Sequence, residues 1–184
     1  MKANFVSPSG RERTDNDRII VNCGIGRHYQ DGHLSTKAHC AQHCPEAWQL
    51  FYDDYPDGCP TQTEQQYAFK IFALDEAIRA GFRYVLWMDT VFQPLRSIEP
   101  IWYRIDACNW YIPPQGDARL GHWCSDRALA QFGIDRETAH LIPLVYSGLV
   151  GLDMKTELGW KIWRGWKQLW ITFRSACLCP SFEG

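Results

Sequence analysis

The sequence predicts a single α/β domain with a mostly parallel sheet flanked by helices. Three observations carry that expectation. Tyr84-Val85-Leu86-Trp87-Met88 is an unbroken apolar run, the pattern of a strand covered on both faces. A segment of helical apolar spacing precedes it and stops at Gly81. The chain has 184 residues, enough for one domain that hides roughly 70% of its unfolded surface.

Composition narrows the function classes. Hydrophobic residues make up 46%, charged residues 22%, and the formal net charge is −2. Domains that bind nucleic acid carry a basic excess that is missing here, so no nucleic-acid partner is expected. No stretch approaches the apolar length of a membrane span. Residues 1–18 are polar, with both charge signs and no apolar core of the signal-peptide kind. The expected address is therefore cytoplasmic, where thiols stay reduced. On that reading the eight cysteines form no disulfide framework. Residues 1–17 read as a flexible arm, 18–174 as the folded domain, and 175–184 as an irregular tail that looks like an interruption. The expectation is a truncated chain.

Taken in order, Arg18-Ile19-Ile20-Val21-Asn22-Cys23 is a buried strand stopped by Gly24-Ile25-Gly26. Helical character follows around Thr36–His43, and Ala47–Tyr52 is a second strand. Residues 53–60 are turn chemistry almost throughout. Thr61 and Glu64 have capping-box spacing, which predicts a helix with Thr61 as N-cap, a stripe of Tyr67, Ile71, Leu74 and Ile78, and Gly81 as the stop. Strand 84–88 then completes a βαβ unit. Pro94–Asp106 is a loop entering a helix. Ser125 and Asp135 each cap a short helix, Gly133 lies between them, and Pro143 ends the second. Leu144–Leu152 is a strand whose Gly148 and Gly151 leave room for something to approach the backbone. Thr156–Arg174 is a long helix, with Leu158, Ile162, Trp166, Leu169 and Phe173 as its packing stripe. Several of the nine tryptophans fall there, among basic residues.

Asp89 is the first candidate for chemistry. It follows the apolar strand directly, at the carboxyl edge where open α/β sheets bind ligands; turn formation by Asp89 or Thr90 is the competing account. Lys70, on the preceding helix, is a mobile point charge suited to phosphate, or else a solvated helix-face lysine. Gly24-Ile25-Gly26 is no dinucleotide fingerprint, because the third glycine of G-x-G-x-x-G would fall at Tyr29.

The segments Tyr67-Ala68-Phe69-Lys70, Ala73-Leu74-Asp75-Glu76-Ala77, Gly81 and Val85-Leu86-Trp87-Met88-Asp89-Thr90 resemble nucleotide-sugar glycosyltransferases of the GT-A fold. Gly121-His122-Trp123-Cys124-Ser125-Asp126 and Ser147-Gly148-Leu149-Val150-Gly151-Leu152-Asp153 continue the resemblance. It spans roughly residues 18–170 and is nearest to glycosyltransferase-like proteins of phage and metagenomic origin. It implies a Rossmann-like GT-A domain that binds a UDP- or GDP-sugar and transfers a hexosyl group to a hydroxyl acceptor.

Under the resemblance, Asn22, Cys23, Gly24 and Arg27 lie near the nucleotide, joined by Lys70, Asp89 and Thr90. Asp89 would open an Asp-x-Asp motif and ligate Mn2+ or Mg2+, a hard dication that neutralises the departing diphosphate. Val91 stands where the second Asp belongs. Valine cannot ligate a metal, so the departure points to basic side chains in the metal's place, or to a catalytically inactive binding or scaffold domain. Asp126 and Asp153 are the candidates for a carboxylate base; both also read as residues favoured by a helix N-terminus.

His28, His33, His39, Cys40, His43 and Cys44 crowd one segment. The i,i+4 pairs there can hold zinc and make a zinc-stabilised interaction domain a third reading. The spacing argues against it, since no second Cys pair falls at zinc-ribbon distance.

Overall fold

The structure is a computed structural model and describes residues 5–8 and 12–172. The chain folds as an α/β domain around a mixed sheet. The elements are β1 (Phe5–Val6), β2 (Arg18–Cys23), α1 (Arg27–His43), β3 (Trp48–Tyr52), α2 (Ala68–Arg79), β4 (Tyr84–Met88), α3 (Glu99–Cys108), β5 (Trp110–Tyr111), β6 (Pro114–Arg119), α4 (Leu120–Trp123), α5 (Asp126–Gln131), α6 (Arg136–Leu141), β7 (Pro143–Val145), β8 (Leu149–Asp153) and α7 (Glu157–Thr172). The main sheet has the order β1-β3-β2-β4-β8-β5, and β6-β7 form a separate pair.

The expectation of a mostly parallel sheet is corrected. Only β3, β2 and β4 run parallel to one another; β1, β8 and β5 add antiparallel pairings. A buried apolar run signals cover on both faces but not the direction of its partner. Val85, Leu86, Trp87 and Met88 are buried whether β8 passes up or down beside them.

Alternating side chains divide the core into two layers. Val21, Val85, Trp87 and Leu152 face α2 and α7. Ile20, Leu86 and Met88 face Cys40 of α1, Cys44 just past its end, and Trp102 and Ile105 of α3. Each fully buried large apolar side chain contributes roughly 1.5–3 kcal/mol. The two crossover helices α1 and α2 therefore cover opposite faces. The chain steps from β2 to β3 on one side and then back across to β4 on the other.

Local signals held in several places. Gly81, at φ 86°, ends α2 with bonds from its N–H to the Ile78 carbonyl and from Phe82 N–H to the Ala77 carbonyl, a Schellman closure. Ser125 and Asp135 accept from Ala128 N–H and Thr138 N–H as N-caps. Gly151 leaves the space that Ile105 of α3 fills; a Cβ there would stand 2.4 Å from Ile105 Cδ1.

Other expectations shift. Thr61 donates N–H and Oγ–H to Glu64 Oε2, but Glu64 N–H bonds the Thr61 carbonyl, so the pair closes an isolated turn and not a capping box, and α2 begins only at Ala68, after Tyr67 at φ 60°. Helix α1 runs through its whole segment rather than from Thr36 alone. The 144–152 run splits, its start pairing with β6 and its end joining the main sheet. Phe5 and Val6, within the segment read as an arm, pair with Leu50 and Gln49. On α7 the buried line turns by one residue. Trp163 is in the core, Ile162 and Trp166 flank it, and Leu158 is exposed, because Gly159 lets the helix press against the Asp153 carbonyl. The irregular tail, 175–184, and Phe173 lie outside the described residues. No helix among the described residues is long and apolar enough to cross a membrane.

Candidate functional site

Strand β2 is flanked by β3 and β4, and the chain leaves β2 toward β3 by α1 but leaves β4 toward the opposite edge by α3, so a crevice opens between the carboxyl ends of β2 and β4. This is the switch point at which open α/β sheets take ligands. A cavity of about 260 Å³ occupies it. Cys23 and Ile25 after β2 and Asp89, Thr90 and Val91 after β4 form two of its walls; Tyr29 of α1 adds to the lining. The remaining wall comes from the segment joining β3 to α2 and the first turn of that helix, with Tyr55, Gln62, Tyr67, Phe69 and Lys70.

Asp89 and Lys70 form the polar floor. Lys70 is only 6% exposed, and a buried ammonium demands a counter-charge. Its Nζ lies 3.0 Å from each carboxylate oxygen of Asp89 and donates to the Ser147 carbonyl at 3.3 Å. The rings of Trp87 and Tyr67 lie 5.4 and 5.5 Å from the ammonium, adding cation–π attraction. Trp87, buried in β4, donates Nε1–H to Asp89 Oδ1 at 2.6 Å. Asp89 N–H is accepted by the Gly148 carbonyl at 2.8 Å, which extends the β4–β8 ladder past the end of the strand. Gly148 is required there, since a Cβ would meet Tyr146 Cε1 at 2.3 Å and Asp89 Oδ2 at 2.8 Å.

Behind the cavity lies a second polar group that the sequence did not announce. Asn22 on β2 donates Nδ2–H to the Met88 carbonyl of β4, and its Oδ1 faces His33 Nδ1. The other ring nitrogen, Nε2, lies 2.9 Å from Asp53 Oδ1, just beyond β3. Gly24 packs against this ring so closely that a Cβ would stand 2.3 Å from His33 Cβ. Burial holds the His33 pKa below its ordinary 6.5, against the hydrogen bond to Asp53, which acts to raise it. Burial also pushes the Cys23 thiol far up, so it stays protonated.

Of the residues the sequence singled out, Cys23, Lys70, Asp89 and Thr90 converge on the cavity. Asn22 and Gly24 support it from behind. Arg27 is exposed at the start of α1 and is not among the lining residues. Asp126 is 86% exposed on its side chain and binds Arg136, away from the lining. Asp153 is fully buried and stands opposite Tyr84, at the end of β4 remote from Asp89. There it accepts from Arg83 Nε at 3.1 Å and Nη2 at 2.8 Å. Its role as a base at this site is therefore corrected to a structural ion pair.

The donor set does not fit Mn2+ or Mg2+. These ions need several oxygen ligands, whereas among the described residues Asp89 is the only carboxylate lining the cavity, and Lys70 and Trp87 already occupy its oxygens. Val91, 66% exposed at the rim, supplies none. In α1 the His and Cys side chains disperse. Cys40 and Cys44 are core residues, and their mutual hydrogen bond pushes the Cys40 thiol far up. His39 bonds the Pro94 carbonyl at 3.0 Å. Among the described residues no group of three His, Cys, Asp or Glu side chains is arranged to hold a metal ion.

The aromatic lining, Ser147 and the His33 group were missed. Tyr67 and Phe69 read as helix residues, and nothing local marks a histidine whose partners come from β2 and from the loop after β3. Comparison with protein-family models, curated proteins and solved structures found no match to this chain.

Proposed function

We propose that the chain binds a nucleotide-sugar at the crevice beside Asp89, as a GT-A-like glycosyltransferase would, without a divalent cation. The observation that carries the reading is the buried Lys70–Asp89 pair at the floor of an aromatic cavity at the switch point of the sheet. Tyr29, Tyr55, Tyr67 and Phe69 offer ring faces for stacking a base or sugar. Lys70 supplies the positive charge that a departing diphosphate needs, and it sits in the first turn of α2, where the helix dipole has the same sign. At about 260 Å³ the cavity falls just under the usual range for ligand pockets, roughly 300–1,000 Å³. It holds one end of the donor, and the rest lies along the rim near Val91.

In the transfer reaction Asp89 positions the Lys70 ammonium, and an acceptor hydroxyl attacks the anomeric carbon as the bond to the diphosphate breaks, its proton passing to the departing diphosphate oxygen. Titration with UDP- and GDP-sugars by calorimetry, with and without manganese, tests the proposal. Binding of one donor that manganese leaves unchanged is expected. Failure of every donor under both conditions overturns the reading.

A second reading, a non-catalytic binding module, is favoured by a specific observation. Neither Asp126 nor Asp153 lines the cavity, and Asp89 is already paired. Donor turnover that disappears in Asp89→Asn would eliminate it.

A further inference from the structure

The group formed by Asn22, His33 and Asp53 joins the carboxyl ends of all three parallel strands, and its hydrogens do not balance for a neutral ring. Asn22 Nδ2–H is committed to the Met88 carbonyl, so Oδ1 can only accept, and His33 Nδ1 must carry a proton to meet it. On the other side Nε2 faces a carboxylate, which is also only an acceptor. The arrangement is complete when the ring carries both protons.

We propose that His33 is a proton-operated latch for the cavity wall, holding the segment from Asp53 to Tyr67 closed when doubly protonated and releasing it when neutral. With the ring neutral and Nδ1–H kept by Asn22, the Nε2 lone pair confronts the Asp53 oxygen. Asp53, 74% exposed on its side chain, is free to turn into water, whereas His33, 2% exposed, cannot move. The charged groups facing the ring are Asp53 from the end of β3 and Lys37 one turn along α1. Asn22 on β2 and the Phe51 ring on β3, 5.7 Å away, carry no charge.

What the latch governs follows from where Asp53 leads. The chain beyond it has no helix or strand until Ala68, and it supplies Tyr55, Gln62 and Tyr67 to the cavity lining. Its internal bonds, such as Gln62 N–H to Tyr55 Oη at 2.8 Å and Tyr67 N–H to Gln62 Oε1 at 3.0 Å, let it shift as a unit. The latch concerns the wall whatever fills the cavity, so it stands or falls separately from the nucleotide-sugar reading.

Amide hydrogen exchange over residues 53–67, corrected for intrinsic rates and followed at about pH 8 and at the lowest pH at which strand 84–88 stays protected, tests it without a ligand. In the native sequence, protection of this segment rises about five-fold at the lower pH, while strand 84–88 reports an intact fold at both. In Asp53→Asn the side-chain amide can donate to a neutral Nε2 or accept from a protonated one, so protection stays high at both values. In Asp53→Ala it stays low at both. Equal protection at the two pH values in the native sequence overturns the latch. So does a pH step of native size in Asp53→Asn.

Discussion

Replacing Lys70 by methionine keeps the length and apolar stem of the side chain and removes only its ammonium. Asp89 then keeps the Trp87 N–H but loses its counter-charge, and the Ser147 carbonyl loses a donor. Removing one member of a buried ion pair costs about 3–5 kcal/mol. Here the Asp89 side chain is 27% exposed and opens on the cavity, so water recovers part of that. The expected loss is about 2 kcal/mol. With an m-value of about 2 kcal/mol/M, the urea midpoint falls by about 1 M. Asp89→Asn alone leaves a buried ammonium with one carbonyl and costs a similar amount. The double variant Lys70→Met/Asp89→Asn removes both charges together, so its loss is smaller than the sum of the singles by at least about 1 kcal/mol. Simple additivity, within about 0.5 kcal/mol, would show that the two groups do not depend on each other. The argument that Lys70 stands in a cation's place beside Asp89 would then fail.

Two further outcomes separate the site from the scaffold. Asp153→Asn removes a fully buried charge from Arg83 and is expected to cost about 3 kcal/mol in urea unfolding while leaving ligand affinity at the Asp89 cavity unchanged; loss of affinity at unchanged stability would return Asp153 to the site. His33 sets a pH dependence whose sign follows from its lowered pKa. Above about pH 6.5 the ring is neutral folded and unfolded, and below that value the unfolded chain takes up the proton first, so stability falls with pH until the native ring protonates too. Urea midpoints of His33→Gln measured across that window are expected to decline less steeply than those of the native sequence, and equal slopes would contradict the burial argument.

How much was legible in the sequence depended on range. Strand 84–88 and the placement of Asp89 at its end followed from five consecutive apolar residues, because burial on both faces imprints itself on every position. The stop at Gly81 and the caps at Ser125 and Asp135 were equally plain, since each is a bond between residues three to five positions apart. Thr61 and Glu64 show the limit of the same reasoning. Glu64 accepts from Thr61 N–H as expected, but Glu64 N–H goes to the Thr61 carbonyl and not to its hydroxyl, and a turn and a left-handed Tyr67 intervene before the helix begins. A local motif fixes its own geometry but not the conformation of the residue six positions on.

By itself the sequence determined an α/β domain, a strand ending in Asp89, and a lysine one helix earlier. Only the tertiary structure decided that β8 runs antiparallel to β4, that Lys70 closes on Asp89, and that Asp153 belongs to the opposite end of the sheet. The reason is distance along the chain. Lys70 and Asp89 are 19 positions apart, Asn22 and Met88 are 66, and Arg83 and Asp153 are 70. Apolar period and capping are settled within one turn of backbone. Which buried charge meets which, and which histidine must find a second proton, is settled only when the strands have paired and water has been driven from between them.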